Sequence, residues 1–232
     1  MLTKSIKFTK FKGKKNIIQT QNLKKILKNE ILLDTFPFLK SLTKKYKYSY
    51  KKKTINSLKN YSNVNLVGMG GSILGAEAIY NFLNHKINKK FNFYNNLNYQ
   101  NIPKSNQKKI NIIISKSGNT LETISNFNLL LQKEKKNKNI ILCENKKNFL
   151  RSLGKKLKAE IFEHKNYIGG RYSVLSEVGM LPAELMGLNE KKFKRFNYLV
   201  NNKYFINSLI ENVISINNFI NKGKTNLVIL NY

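Results

Sequence analysis

Cysteine occurs once in this chain, at position 143, so no disulfide can form within it. That thiol lies in the apolar run Ile140-Ile141-Leu142-Cys143, which reads as core and not as a nucleophile's setting. Histidine occurs only at 85 and 164, each without a second histidine or cysteine nearby, and this argues against a metal centre. No run of about 18 apolar residues is available to span a bilayer. The opening MLTKSIKFTKFKGKK lacks the apolar stretch and small-residue cleavage site of a secretory leader. The expectations are a cytoplasmic location, no membrane partner and no bound metal. Arginine is scarce too, standing only at 151, 171 and 195.

Lysine is what the chain has in abundance. It supplies all but those three of the 43 basic side chains, against 12 acidic ones, for a formal net charge of +31. Such a charge can draw a protein to a phosphate backbone. Here it comes with heavy use of asparagine and isoleucine, the mark of an A/T-biased coding sequence, so solvated lysine faces are the plainer reading and no specific nucleic-acid partner is expected. The first sixty residues carry 17 lysines against Glu30 and Asp34, with Tyr46, Tyr48 and Tyr50 interleaved in KKYKYSYKKK. That stretch is the one place where a nucleic-acid or membrane-surface arm fits the residues. In such a background an arginine is informative, because a planar bidentate donor is not replaced by habit with lysine.

At 232 residues, 41% of them hydrophobic, the chain can bury a substantial α/β core. Residues 1–60 read as a basic helical lead-in, in which Leu23, Ile26, Leu27 and Ile31 fall on one helical stripe. From residue 61 to 188 strands and helices alternate. Strands are expected at 64–67, 91–94, 110–114 and 139–143, with a weaker one at 159–162, and helices at 72–83 and 120–132. That order predicts an α/β fold with a parallel sheet covered by helices on both faces, a three-layer αβα sandwich. Residues 189–232 read as a helical connector ending in an apolar strand at 225–232.

Three loops carry the chemistry. The first is GMGGSILG, residues 68–75, at a strand-to-helix junction. It is not a dinucleotide fingerprint, because Ile73 stands where the third glycine belongs and no acidic residue follows at the required distance. Nor is it a P-loop, since Ala76 and Glu77 follow Gly75 in place of Lys and Ser/Thr. Two readings stay open: backbone N–H groups approaching a ligand, or glycines that only let a helix and strand pack closely.

The second loop is Ser115-Lys116-Ser117-Gly118-Asn119-Thr120, opening a helix. Three hydroxyls, a lysine, a flexible glycine and the positive end of a helix dipole together suit an anion, with phosphate the natural fit. Local capping accounts for Asn119 as N-cap and for Glu122 reaching back to it, but not for Ser115, Lys116 and Ser117. The third is Gly169-Gly170-Arg171-Tyr172-Ser173, where the rare arginine follows paired glycines and can clamp a phosphate or stabilise an oxyanion.

Taken in order and spacing, GMGGSILG, SKSGNTLET and GGRYSVLSEVGMLP resemble the front half of the glucose-6-phosphate isomerase family. The resemblance implies a three-layer αβα sandwich of sugar-isomerase (SIS), flavodoxin-like type. It also implies reversible aldose–ketose isomerisation of glucose 6-phosphate to fructose 6-phosphate through an enediolate, in glycolysis and gluconeogenesis, without cofactor or metal and as a homodimer. Matched position by position, Ser115, Lys116, Ser117, Gly118, Asn119 and Thr120 correspond to its phosphate loop. Gly71 and Ser72 correspond to its sugar-phosphate contact, and Gly170 and Arg171 to the turn whose arginine stabilises the enediolate. Asn119 departs from a threonine common there, and Met69 is a mild departure in the glycine turn.

In the family the proton-shuttling glutamate, the ring-opening histidine and a further lysine lie in a second sandwich. His85, His164 and the glutamates here match none of those motifs, so the implied expectation is an isomerase incomplete as this chain. Two rivals are a non-catalytic sugar-phosphate module or regulator, and a basic nucleic-acid binder.

Overall fold

The computed structural model describes residues 17–32, 36–97, 109–133, 137–195 and 202–223. The strand expected at 225–232 lies outside the described residues. Two compact units are present. One holds residues 40–194, the other residues 1–39 together with 195–232.

Five parallel strands form the sheet of the larger unit: β1 (Asn63–Gly68), β2 (Lys90–Tyr94), β3 (Lys109–Ile114), β4 (Lys138–Cys143) and β5 (Glu160–Glu163). Their spatial order is β2-β1-β3-β4-β5, the doubly wound order of flavodoxin-like folds. β1, β3 and β4 are near-continuous apolar runs because both of their faces are covered. All six side chains of β3 are buried, and each of its isoleucines contributes about 1.5–3 kcal/mol by leaving water.

One face of the sheet carries Val64, Leu66, Ile110, Ile112, Ile114, Ile140 and Leu142. It packs against α2 (Lys52–Ser57), α3 (Leu74–Leu83) and α6 (Glu177–Leu185) through Ile55, Ala76, Val178, Leu181 and Leu185. The other face carries Val67, Tyr94, Ile113, Ile141 and Cys143, and is covered by α4 (Leu121–Lys133) and α5 (Phe149–Lys156) through Phe127, Leu130 and Leu150. The layers are those expected of an αβα sandwich. Burial pushes the Cys143 thiol upward from its ordinary pKa.

An amide ladder crosses that second face. Asn92 donates to Asn65, Asn65 to Asn111 and Asn111 to Asn139, each at 2.9 Å, on residues in direct register across four strands. Parallel pairing stacks identical side chains, so each amide finds its donor and acceptor in its neighbours.

The larger unit starts before residue 60, which differs from the boundary expected of the sequence. In KKYKYSYKKK the tyrosines alternate with Lys47 and Ser49, and their rings pack in turn, Tyr46 on Tyr48 with centroids 5.3 Å apart and Tyr48 on Tyr50 at 5.0 Å, beside α6. Tyr46 donates to Glu177 at 2.8 Å and Tyr50 to Glu184 at 2.7 Å. Tyr46 and Tyr50 are buried, so these rings serve the core and do not present a stacking surface to bases.

In the smaller unit α1 (Ile17–Leu32) packs against α7 (Lys203–Asn221). Asn202 caps α7 by accepting from the Phe205 N–H at 2.9 Å. Of the stripe expected along α1, Ile26 is exposed.

Candidate functional site

The order β2-β1-β3 puts the topological switch between β1 and β3, the place where ligands bind beyond the carboxyl ends of an open parallel sheet. Gly68 and Ile114, the last residues of these strands, are register partners. The two motif-bearing loops that follow them therefore leave the sheet side by side. A Cβ on Gly68 would lie 3.1 Å from both the Ile114 carbonyl oxygen and the Ser72 Cβ, so Ser72 stands over this junction.

Close approach in the glycine loop comes from the third motif. A Cβ on Gly71 would lie 2.1 Å from the Gly170 carbonyl oxygen, and one on Gly75 would lie 2.6 Å from Val174. Ser173 fastens the joint by offering its hydroxyl to the carbonyls of Gly71 (3.1 Å) and Gly170 (2.7 Å). These two glycines thus serve packing between loops, and the turn that carries Arg171 (Gly170–Tyr172) is seated directly on the turn that carries Ser72 (Gly70–Ser72). Arg171 is exposed.

In the loop after β3 the hydroxyls converge. Ser115 Oγ is 2.8 Å from Thr120 Oγ1 and 3.5 Å from Ser117 Oγ, and Ser117 Oγ is 3.5 Å from Thr120 Oγ1. Backbone N–H groups fix the triangle: Gly118 donates to Ser115 Oγ at 3.1 Å and Asn119 to Ser117 Oγ at 3.2 Å. Those bonds occupy acceptor positions on the two serines and leave their O–H groups to turn toward an incoming oxyanion, at the N-terminus of α4. Gly118 has φ +68°, and a Cβ there would meet Asn148 Oδ1 at 2.1 Å, so both conformation and space require glycine.

Asn119 does not cap α4. Its Oδ1 accepts from the Phe149 N–H at 2.9 Å, at the start of α5, while Leu150 N–H donates to the Gly118 carbonyl at 3.0 Å. The phosphate-type loop is thereby stitched to the N-terminus of the next helix. Asn148 completes the seam by capping α5 at Arg151 N–H (2.9 Å) and donating to the Glu144 and Lys146 carbonyls. Neither Asn148 nor Glu144 stands out in the sequence; the signal that finds Asn148 is a capping residue ahead of a short helix.

The Lys116 ammonium donates to the Asn166 carbonyl at 2.7 Å and lies 3.7 Å from Glu144. Lys146 holds the other Glu144 oxygen at 2.5 Å, and the two lysines keep that carboxyl below its usual pKa range, Lys146 first. Beside these groups His164 is 1% exposed, and burial lowers its pKa. Along α3 the site continues into a groove of about 710 Å³ lined by Gly71, Leu74, Ala78, Phe82, Arg171 and Phe193.

A family model described as phosphoglucose isomerase matches residues 28–227, which include all three loops. The chain belongs to the phosphoglucose isomerase family. Among curated relatives, the glucose-6-phosphate isomerase of Bacillus cereus (strain B4264) is 32% identical over 225 residues, 81% of this chain and 48% of that relative. The enzyme of Clostridium tetani is 29% identical over 212 residues, 78% of this chain and 47% of its own length. That of Methanocaldococcus jannaschii is 36% identical over 147 residues, 59% of this chain and 36% of the relative. The chain therefore spans about half the length of the first two of these relatives. A solved structure of a hypothetical protein from Thermus thermophilus shares the fold, with TM-score 0.65 at 17% identity over 86% of this chain and 53% of that one. Phosphoglucose isomerase family membership thus rests on the sequence match, and the sandwich itself on the structure.

Proposed function

We propose that this chain supplies the phosphate-anchoring and charge-stabilising half of a glucose-6-phosphate isomerase, binding glucose 6-phosphate and fructose 6-phosphate. The observation that carries this is the triangle of Ser115, Ser117 and Thr120 hydroxyls at the N-terminus of α4, beside the β1/β3 switch point. Family membership supports the choice of sugar phosphate over other anions.

In this reading the three hydroxyls and the N–H groups of the Ser117–Thr120 turn take the phosphate, and Lys116 adds positive charge to the same loop. The sugar extends toward Gly71 and Ser72. Arg171, on the turn seated over Gly71, faces the oxygen that gains negative charge as the proton moves between C1 and C2, which a guanidinium stabilises most when that charge is greatest. Isomerisation also needs a base within hydrogen-bond reach of the transferred proton. That group is assigned to the length of the family that this chain does not span.

The test is a titration of the purified chain with glucose 6-phosphate and with glucose, followed by amide shifts, alongside an isomerase assay. Saturable shifts at 115–120 with the phosphate ester alone, and turnover far below that of a complete enzyme, are expected. Turnover comparable to a complete enzyme that is lost in Arg171→Ala would place the base within these residues and overturn the division of labour. Binding with no turnover under any complementation would favour a non-catalytic sugar-phosphate module.

A further inference from the structure

The side chain of the loop lysine is engaged by groups outside its own loop, the Asn166 carbonyl and Glu144. Sheet pairing continues past the strand ends: Glu144 N–H donates to the Lys116 carbonyl at 3.0 Å, and His164 N–H to the Cys143 carbonyl at 2.9 Å. The loops after β3, β4 and β5 therefore run side by side, and the Lys116 side chain crosses all three, to Glu144 after β4 and to the Asn166 carbonyl after β5. Asn166 sits in a tight turn closed by Ile168 N–H on the Lys165 carbonyl at 3.1 Å, with Ile168 fully buried. The next turn is closed by Tyr172 N–H on Gly169 and carries Arg171. Two successive closed turns therefore connect Asn166 to the arginine.

The surroundings make that bond matter. Under the crossing, His164 is 1% exposed with its Nε2 unpartnered, and its Nδ1 lies 3.2 Å from the Lys165 carbonyl. Glu144, with a side chain 11% exposed, balances the charges of Lys116 and Lys146. Low water access strengthens such interactions.

We propose that Lys116 is a positioning residue: its ammonium braces the loops after β3, β4 and β5 and holds the Arg171 turn in place, while hydroxyls and backbone N–H groups hold the phosphate. The proposal rests on the sugar-phosphate reading for its ligand but not for the brace, and the experiment separates the two.

The full 232-residue chain is compared with Lys116→Met and Lys116→Arg by amide hydrogen exchange without ligand, and by titration with glucose 6-phosphate. The three arginines make the Arg171 side-chain signal readily assignable. In Lys116→Met, exchange at Ile168, Tyr172 and Ser173 is expected to speed up about tenfold or more, because the local opening they report loses its restraint. The Arg171 signal is expected to stop following the titration, whereas shifts at 115–120 persist with affinity lowered about threefold or less, the scale of one exposed charge. Lys116→Arg, which keeps the charge and the reach, is expected to restore the slow exchange. Unchanged exchange in Lys116→Met, or acceleration that Lys116→Arg fails to reverse, overturns the proposal. Should Lys116→Met fail to fold, Glu144→Gln removes the brace's counter-charge and is judged by the same exchange criterion. If glucose 6-phosphate shifts nothing in the parent chain, the sugar-phosphate reading falls and exchange still decides the brace.

Discussion

Gly71 and Gly170 meet backbone to backbone, yet the contact is one-sided. A Cβ on Gly71 would stand 2.1 Å from the Gly170 carbonyl oxygen, while one on Gly170 would meet nothing within 4 Å. Gly71→Ala must push the two loops apart, an overpacking cost of about 1–3 kcal/mol. Gly170→Ala, on the other side of the same contact, is expected to cost less than about 0.5 kcal/mol. Urea unfolding of the two variants checks the asymmetry, and equal losses would show that the loops can part freely.

Ser115 is nearly fully buried, and its hydroxyl serves both Thr120 Oγ1 and the Gly118 N–H. Ser115→Ala takes the hydroxyl partner from Thr120 Oγ1 and leaves the Gly118 N–H only the Ser115 carbonyl at 3.1 Å, so a loss of about 0.5–1.5 kcal/mol is expected. Thr120→Ser keeps the hydroxyl and should cost less. If the triangle is the anion cradle, Ser115→Ala also weakens glucose 6-phosphate binding by about tenfold, the worth of one charge-assisted hydrogen bond. A binding curve that does not move in a variant that still folds would remove Ser115 from the proposed site.

The sheet was legible because β-branched, aliphatic and aromatic residues cluster in its strands, Val64, Leu66 and Val67 in β1, Ile112–Ile114 in β3 and Ile140–Cys143 in β4, between polar turn residues. α5 was not, since Phe149, Leu150 and Leu153 are followed by Gly154 and two lysines. That glycine is there for space, as a Cβ would lie 2.8 Å from Ile141 Cδ1. The site loops could be named from their residue types, but their partners could not. Asn119 reads as a cap for the helix that follows it and instead serves the one after, because the seam between the β3 and β4 loops is a tertiary contact. KKYKYSYKKK was ambiguous for a related reason. Its period-two pattern is the same whether the rings face α6 or water, and only the carboxylates of Glu177 and Glu184 decide between them.

The asparagines that composition attributes to coding bias include the four of the ladder. Asn65 and Asn111 are fully buried, whereas Asn92 and Asn139 are half-buried. Asn111→Val strands the Asn65 amide donor and the Asn139 acceptor, for an expected loss of about 2–4 kcal/mol. Asn92→Val, near the sheet edge, should cost less. The double variant Asn65→Val with Asn111→Val leaves only the outer, hydrated amides without partners. Its loss should therefore fall short of the sum of the single losses by about 1 kcal/mol or more. Strict additivity in denaturant unfolding would mean that the ladder's members act independently.

Lys194 gives the larger unit a pH signature. Its ammonium donates to the Ser41 and Leu175 carbonyls and lies 4.9 and 5.1 Å from the ring centres of Tyr46 and Tyr48. Burial lowers its pKa to about 8, against the opposing pull of Glu177 and Glu190. An unfolded lysine titrates near 10.4, so between about pH 8 and 10.4 the unfolded chain holds a proton that the folded chain has released. Stability therefore rises with pH across that window, and below pH 8, with both states protonated, the burial cost is constant. Tyr46, Tyr48 and Tyr50 act in the opposite sense. Burial raises their hydroxyls, so above about pH 10 the unfolded chain loses protons that the folded chain keeps, and stability falls. The urea midpoint is expected to climb from pH 7.5 to 9.5 and drop beyond about pH 10, and Lys194→Met should flatten the climb while sparing the drop. The raised Cys143 thiol opposes the climb above about pH 8.5, so the difference between parent and Lys194→Met carries the lysine's part, and no difference between pH 8 and 9.5 would mean that the Lys194 ammonium keeps its hydration in the folded chain.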